Sequence, residues 1–563
     1  MERIKNNPAA GANRRAGQEG KADTDQNIRH GGVVVKRKKS AAFKNLINNA
    51  KPKFTFRRYE KIFAEEIAAA ADGNIKHDAG DGWRIFDPES GRFIPADKLV
   101  MLYIGEMAKR FISQATKIQD EDKREDVIKF GAKLLNAQGI SNIERLLKNE
   151  QDVSAIEQDY SSIQHILNCC GDVRSADGTS RGATADDMFL MSASVRPAEG
   201  NPEKFLVFLN WFVCGNEELK EWLLTVMATA LFGFPSRLII NLYGQGRNGK
   251  GTLLRLLYKL LGDYATTLSR SLVLKSRLTN NRFDKSNLPN KRGAFCMDLK
   301  VESGEKLNLD ELKSICGDGD IVPIERKMKP LFDQALFCKV FINSNDKLPI
   351  DSFGESERSR FRLVPCLARI DEPDPGLEDD LQKEFPQILN LLLEKAEAWY
   401  ADGRKLPPCK VIDRTTDEYF NKQDVLGQFI ADKCSLGEGL RTVKKDLFNA
   451  YEQYLYREQG ITRHGKIKNF AADLEKRGIS EGFTKDKDGK TARCFVGITL
   501  SEHTDTKKPE FDIPSHEKSN LEENAKFENF CVRVSEKQEI PDKVRYDSED
   551  QQKLWEDEKA VIY

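Results

Sequence analysis

Residues 244–252 read Gly-Gln-Gly-Arg-Asn-Gly-Lys-Gly-Thr, a combination suited to holding a polyphosphate. Gly244, Gly246 and Gly249 let main-chain N–H groups close on phosphate oxygens, and Lys250 can neutralise the β and γ oxygens of a nucleoside triphosphate. Asn248, Gly251 and Thr252 belong to the same cradle. The hydroxyl that usually follows the lysine and holds magnesium is replaced by Gly251, so the metal is expected on Thr252 or through a bridging water. A chance glycine-rich turn is the bland alternative, and the flanks argue against it. Leu238-Ile-Ile-Asn-Leu-Tyr243 reads as a buried strand, and Lys250-Gly-Thr-Leu-Leu-Arg-Leu-Leu opens a helix whose N-terminus points at the same spot.

Further groups follow in order. Asp298 ends the apolar run Gly293-Ala-Phe-Cys-Met297; an acid at a strand's carboxyl end beside a phosphate loop can hold magnesium and orient attacking water. Glu302 ranks behind it, with a lone surface acid as its plain reading. Asn345 lies in Asn343-Ser-Asn-Asp-Lys-Leu-Pro349, directly after the strand Cys338-Lys-Val-Phe-Ile342. An amide there can bond both a γ-phosphate and the lytic water; Asn343 is second choice, and a strand-end cap is the plain reading for either. Arg326, Lys327 and Lys329 form a basic turn, which by itself is most often only solvated.

The elements that must position these groups alternate between helices and short apolar strands from about 202 to 370, the signature of an α/β core. At 563 residues the chain should divide into several domains. We expect a disordered basic tail over 1–52, containing Arg14-Arg15 and Lys36-Arg37-Lys38-Lys39, because it lacks apolar periodicity. A mixed unit spans 53–200, with helices over Tyr59–Ala71, Leu99–Thr116 and Arg124–Leu135 and a strand-turn-strand at Trp83–Phe93. The nucleotide core takes 201–385 and a helical connector 386–422. A unit of three helices and two strands covers 423–501, and a charged tail, expected to be disordered, covers 502–563.

Lys plus Arg and Asp plus Glu both number 89, so no overall field attracts nucleic acid or an anionic membrane, and any basic surface is local. No long apolar run or signal segment is present, and a cytoplasmic protein without membrane contact is expected. The 11 cysteines form no Cys-x-x-Cys pair, which argues against zinc and a disulfide framework; Cys169-Cys170 reads as buried thiols.

Gly-x-Gly-x-Asn-Gly-Lys at 244–250, Leu261-Gly-Asp-Tyr264, Asp298, the stretch from Cys316 to Lys329, Asn343–Pro349 and Glu357-Arg-Ser-Arg-Phe-Arg-Leu-Val-Pro365 occur in this order. Together they resemble the helicase part of phage and plasmid primase-helicases, superfamily 3 of the AAA+ class; poxvirus primase-helicases are similar too. The resemblance runs from about Tyr59 to Leu500. It implies an AAA+ P-loop ATPase core, an α+β helicase-associated N-terminal domain and a C-terminal winged helix. It also implies a ring, hexameric in the family, that uses ATP and magnesium to move along single-stranded DNA. Lys250, Asp298 and Asn345 of one subunit would meet an arginine finger from the next, assigned to Arg360 with Arg358 and Arg362 as alternatives. Arg326, Lys327 and Lys329 would sit on a hairpin in the ring channel. Arg463, His464, Lys466 and Lys468 would begin the third helix of the winged unit, where duplex DNA could dock. The paired acids of a primase are not found in 59–197, so no primer synthesis by this chain is expected, and a separate primase is a candidate partner. Two rivals remain: an ATP-switched origin binder or loader, and a P-loop small-molecule kinase.

Overall fold

The computed structural model describes residues 32–501 except 79–81, 151–152, 154–163, 276–282, 303, 318, 328–329, 351–353, 371, 460–466 and 486–488. Among the described residues no helix is long and apolar enough to cross a membrane.

The N-terminal unit contains α1 (Gly32–Asn49), α2 (Glu60–Ala71), the antiparallel strands β1 (Ile75–Asp78), β2 (Gly82–Asp87) and β3 (Arg92–Pro95), and then α3 (Asp97–Ala115), α4 (Glu121–Leu134) and α5 (Ala137–Leu147). Helix α3 carries Val100, Tyr103, Ile104, Met107, Ala108 and Phe111 at helical spacing. This stripe packs on Phe63, Ala64 and Ile67 of α2. Ala42, Leu46 and Ala50 are buried in the same core. The disorder expected over 1–52 is therefore corrected for the end of that segment. Its apolar residues are few, but Arg110 fixes the helix end by donating to Ala50 O at 2.9 Å and Ile47 O at 2.8 Å.

An antiparallel sheet, β4 (Ile166–Cys169), β5 (Asp172–Ser175) and β6 (Ser180–Gly182), follows. After it come α6 (Glu203–Phe212) and α7 (Glu217–Thr229). Leu167, Cys169, Ala176 and Ala193 share one hydrophobic core with α6 and α7. Those residues are spaced for strands, and nothing local shows which core they join.

The segment around the central sheet contains β7 (Ile239–Tyr243), helix α8 (Lys250–Leu261), β8 (Ala265–Thr267), α9 (Arg270–Val273), β9 (Leu274–Lys275), β10 (Gly293–Leu299), β11 (Lys306–Leu307), α10 (Leu309–Ile315), the hairpin β12 (Ile321–Ile324) and β13 (Phe332–Ala335), β14 (Lys339–Ser344), α11 (Glu355–Arg360) and β15 (Phe361–Pro365), with β9 and β11 paired separately. Five strands pair in the order β15-β7-β14-β10-β8, all parallel. Alternate side chains enter two cores. Ile240, Leu242, Phe295, Phe341 and Val364 join the one containing α6–α8, while Ile239, Ala294, Val340, Ile342 and Leu363 join the other with α10. This parallel sheet and its strand-loop-helix at 239–261 are consistent with a P-loop ATPase core.

Beyond it lie α12 (Leu377–Lys383), α13 (Phe385–Ala401) and α14 (Lys410–Gln423). Ile388, Leu389 and Leu392 of α13 and Tyr419 and Phe420 of α14 are buried in the sheet's two cores, so these helices are part of that packing. The last unit has α15 (Val425–Lys433), β16 (Cys434–Val443), α16 (Lys444–Gln459), α17 (Ile467–Glu475), β17 (Ser480–Lys485) and β18 (Thr491–Leu500), with antiparallel strand order β16-β18-β17. Its core is small: Phe429, Leu447, Phe470, Leu474, Phe495 and Ile498. The sequence reading misses β16, a largely exposed edge strand with two glycines. The expected tail 502–563 lies outside the described residues.

The amino edge of the central sheet is closed by two basic side chains. Lys339, fully buried at the start of β14, donates from Nζ to Phe232 O at 2.6 Å and Phe234 O at 3.0 Å. Arg292 donates to Leu231 O and Ile166 O and stacks 4.1 Å from the Tyr264 ring centroid. Burial lowers the Lys339 ammonium from its ordinary 10.5 to about 7. Between these values the unfolded chain holds a proton that the folded chain has released, so this group adds stability as pH rises. The melting temperature of wild type relative to Lys339→Met should therefore climb from about pH 7 to about pH 8.5 in fluorimetric melts. A pH-independent difference would remove Lys339 as the cause.

Candidate nucleotide site

Because the strands are parallel, their carboxyl ends share one edge, where ligands of α/β sheets bind. The register is specific. Ser344 and Pro365 both pair with Tyr243, so Asn345 stands one step past the sheet, level with Gly244. Ser344 Oγ donates to Asn241 Oδ1 at 2.9 Å, tying β14 to β7 just beneath the loop. On β10, Cys296 pairs with Ile342 and Leu299 with Ser344, so Met297 and Asp298 together face Asn343. Asp298 thus occupies a β-bulge, with φ of 54° and an exposed side chain. Bulges re-aim side chains beside sites, and aspartate tolerates the left-handed region better than most residues. The loop, Asp298 and Asn345 are brought together on three neighbouring strands. Glu302 is exposed and lies 3.6 Å from Arg270 instead.

Within the loop, Gly244 has φ of 151° and a Cβ there would lie 2.4 Å from Cys366 O. Gly249 has φ of 77° over Trp211 and Phe208, whose rings would lie 3.0 and 3.2 Å from a Cβ. Only glycine fits either position. Buried Asn248 donates from Nδ2 to Cys366 O at 2.9 Å and accepts from Lys250 Nζ at 3.0 Å. Lys250 also donates to Gly244 O at 2.5 Å and Gln245 O at 3.2 Å. Burial lowers the Lys250 pKa, and the Asp298 carboxylate opposes that shift. Sequence reasoning missed the anchors Cys366 O, Trp211 and Phe208. A main-chain carbonyl carries no residue signal, and the rings read as ordinary helix core.

Thr252 is half-buried, and its Oγ1 accepts from Arg255 Nη2 at 3.4 Å. Among the described residues no cluster of three or more His, Cys, Asp or Glu could hold a metal. The donors fit magnesium only as it is commonly held on nucleotides, by one carboxylate, here Asp298, with phosphate oxygens and water completing the shell.

The other predicted residues lie elsewhere. Arg360 ends α11 at the amino end of β15, where Phe361 pairs with Ile239. A five-residue strand, about 16 Å long, separates it from its own loop. Burial pushes the neighbouring Cys316 thiol up to about 11, and Arg360 opposes the shift. Arg358 donates to Asn421 Oδ1 at 2.7 Å and Asp417 Oδ1 at 3.3 Å, and Arg362 to Arg358 O at 2.7 Å. Arg326 lies over the Phe332 ring at 4.8 Å at the end of the β12–β13 hairpin, and Lys327 is exposed. Lys329, Arg463, His464 and Lys466 lie outside the described residues, and Lys468 is on α17.

Residues 242–360 match the model of a family of unknown function, DUF5906. A candidate primase of African swine fever virus is 25% identical over 309 residues, covering 51% of this chain and 32% of the viral protein. A candidate helicase of Acanthamoeba polyphaga mimivirus is 23% identical over 237 residues, covering 38% and 24%. The matches take in only about a third or less of these relatives' length. Among solved structures, the apo C-terminal region of NrS-1 aligns with 16% identity and a TM-score of 0.36, covering 58% of this chain and 83% of that one. The chain is thus distantly similar to viral proteins named as candidate primases and helicases.

Gly244→Ala tests the loop geometry. The Cβ meets a carbonyl oxygen that cannot rotate away, so affinity for a fluorescent ATP analogue should fall by about tenfold or more, while Gly182→Ala, on β6 outside the loop and with open space around it, should bind nearly as wild type. Equal affinity for both variants would show that the loop does not touch the nucleotide.

Proposed function

We propose that this chain is an ATP-hydrolysing DNA helicase of a replication system, acting as a ring of the superfamily 3, AAA+ type. The observation that carries the reading is the convergence of the glycine-lysine loop, the bulged Asp298 and Asn345 at neighbouring strand ends. Main-chain N–H groups of 246–250 and the N-terminus of α8 bind the phosphates. Lys250 leaves its loop carbonyls for the β and γ oxygens, Asp298 accepts a hydrogen bond from the attacking water, and Asn345 holds that water against the γ-phosphate. Magnesium, when bound beside Asp298, supplies charge neutralisation at the phosphates.

Arg360, remote from its own loop, is assigned to the site of the next subunit, where a forked guanidinium suits the transferring phosphoryl oxygens. A hexamer satisfies that requirement. The β12–β13 hairpin, with Arg326 and Lys327, and Lys329 beside them in sequence, carry backbone contacts to single-stranded DNA. The unit 425–500, in the order helix, strand, helix, helix, strand, strand, is read as a winged helix that meets duplex DNA, and a separate primase and a cytoplasmic setting complete the proposal.

Lys250→Ala and Asp298→Asn should each lower ATP turnover by about a hundredfold or more while the fold is retained. Wild-type turnover in either would refute its assigned role. Mixing Lys250→Ala with Arg360→Ala subunits should restore part of the activity, because some interfaces then combine an intact loop with an intact arginine. No recovery in co-assembled rings counts against the shared site. Strand displacement on a forked duplex separates a helicase from an ATP-switched loader, which would hydrolyse ATP without separating strands.

A further inference from the structure

Gly251 takes the place of the hydroxyl that normally follows the loop lysine, and the space its side chain would fill is already taken. A Cβ at 251 would come 2.8 Å from Arg255 Nη1 and 3.6 Å from Cζ. Helical side chains lean toward the N-terminus, so a residue four positions along covers the turn before it. Arg255 accordingly lays its guanidinium over the first turn of α8, where Nη2 reaches Thr252 Oγ1 at 3.4 Å. Glu378 of α12 holds it there, accepting from Nε at 2.8 Å and from Nη2 more closely. The same carboxylate lies 3.8 Å from Lys259. The Arg255 and Glu378 side chains are 50% and 37% exposed, so solvent screens the pair and exchanging one anionic partner for another costs little.

We propose that Arg255 is a second cationic contact for the nucleotide phosphates, supplying charge where related loops place a metal-binding hydroxyl, and that Glu378 competes with the phosphates for it. The inference rests on the loop being the phosphate site. A guanidinium stays charged at all physiological pH values and presents a fork that matches two phosphate oxygens. Set beside a helix N-terminus and Lys250, it makes phosphate binding less dependent on magnesium than a hydroxyl-metal arrangement would. Release of Glu378 couples nucleotide binding to α12.

The test is titration of the full chain with a fluorescent ATP analogue, in magnesium and in EDTA, beside thermal melts. Arg255→Ala should weaken binding about tenfold in EDTA and less in magnesium. Glu378→Gln breaks the same ion pair but should tighten binding several-fold, because the guanidinium is freed. A purely structural pair requires both variants to shift affinity in the same direction, or neither to shift it, and either result overturns the proposal. Arg255→Gln, which keeps the length and loses the charge, repeats the test if Arg255→Ala melts early. Lys250→Ala separates the two levels: if it binds as wild type, the loop reading itself fails; if it binds weakly while Arg255→Ala and Arg255→Gln bind normally, only the role of Arg255 fails.

Discussion

Parallel pairing of β7 with both β14 and β15 is the constraint on which the rest of the molecule depends. It brings Tyr243, Ser344 and Pro365 to the same level, so everything that leaves those strands emerges at one edge. The glycine-lysine loop, Asn345 and the Cys366 carbonyl are neighbours for that reason. The bulge on β10 adds Asp298, with a backbone conformation that costs some stability and is found most often where a side chain must be aimed. Asn248 then clamps the loop to β15 through Cys366 O, so the loop's shape depends on a strand far from it in sequence.

The two ends of the sheet solve opposite problems. At the amino edge, Lys339 and Arg292 are buried against main-chain carbonyls that follow α7 and, for Arg292, that of Ile166 at the start of β4; these oxygens accept their hydrogen bonds and seal the edge. At the carboxyl edge Asp298 and Asn345 stay exposed, while Lys250 is buried against carbonyls of its own loop. Basic side chains are sealed inside at one end, and polar groups face solvent at the other.

Much of this was legible in the residues. Strands buried on both faces give apolar runs such as Leu238–Tyr243, and the glycines and lysine behind that run have few other uses. Helices α2, α3 and α4 follow their apolar spacing to within a few residues. What escaped was non-local. Ala42 and Leu46 look like part of a polar tail until the N-terminal core is assembled around them. The strands at 166–182 join a core made mainly by residues beyond 200. The arrangement of Arg255 over Gly251 depends on helical lean and on Glu378, more than a hundred residues away, and neither residue stands out by type.

The most direct measurement of the central claim is cryo-electron microscopy of the chain with a slowly hydrolysed ATP analogue and magnesium. The account predicts phosphate density cradled by 244–250, with Asp298 and Asn345 facing the γ-phosphate and an arginine of a neighbouring subunit closing the site. Nucleotide bound elsewhere, or phosphates turned away from the ends of β10 and β14, would contradict it.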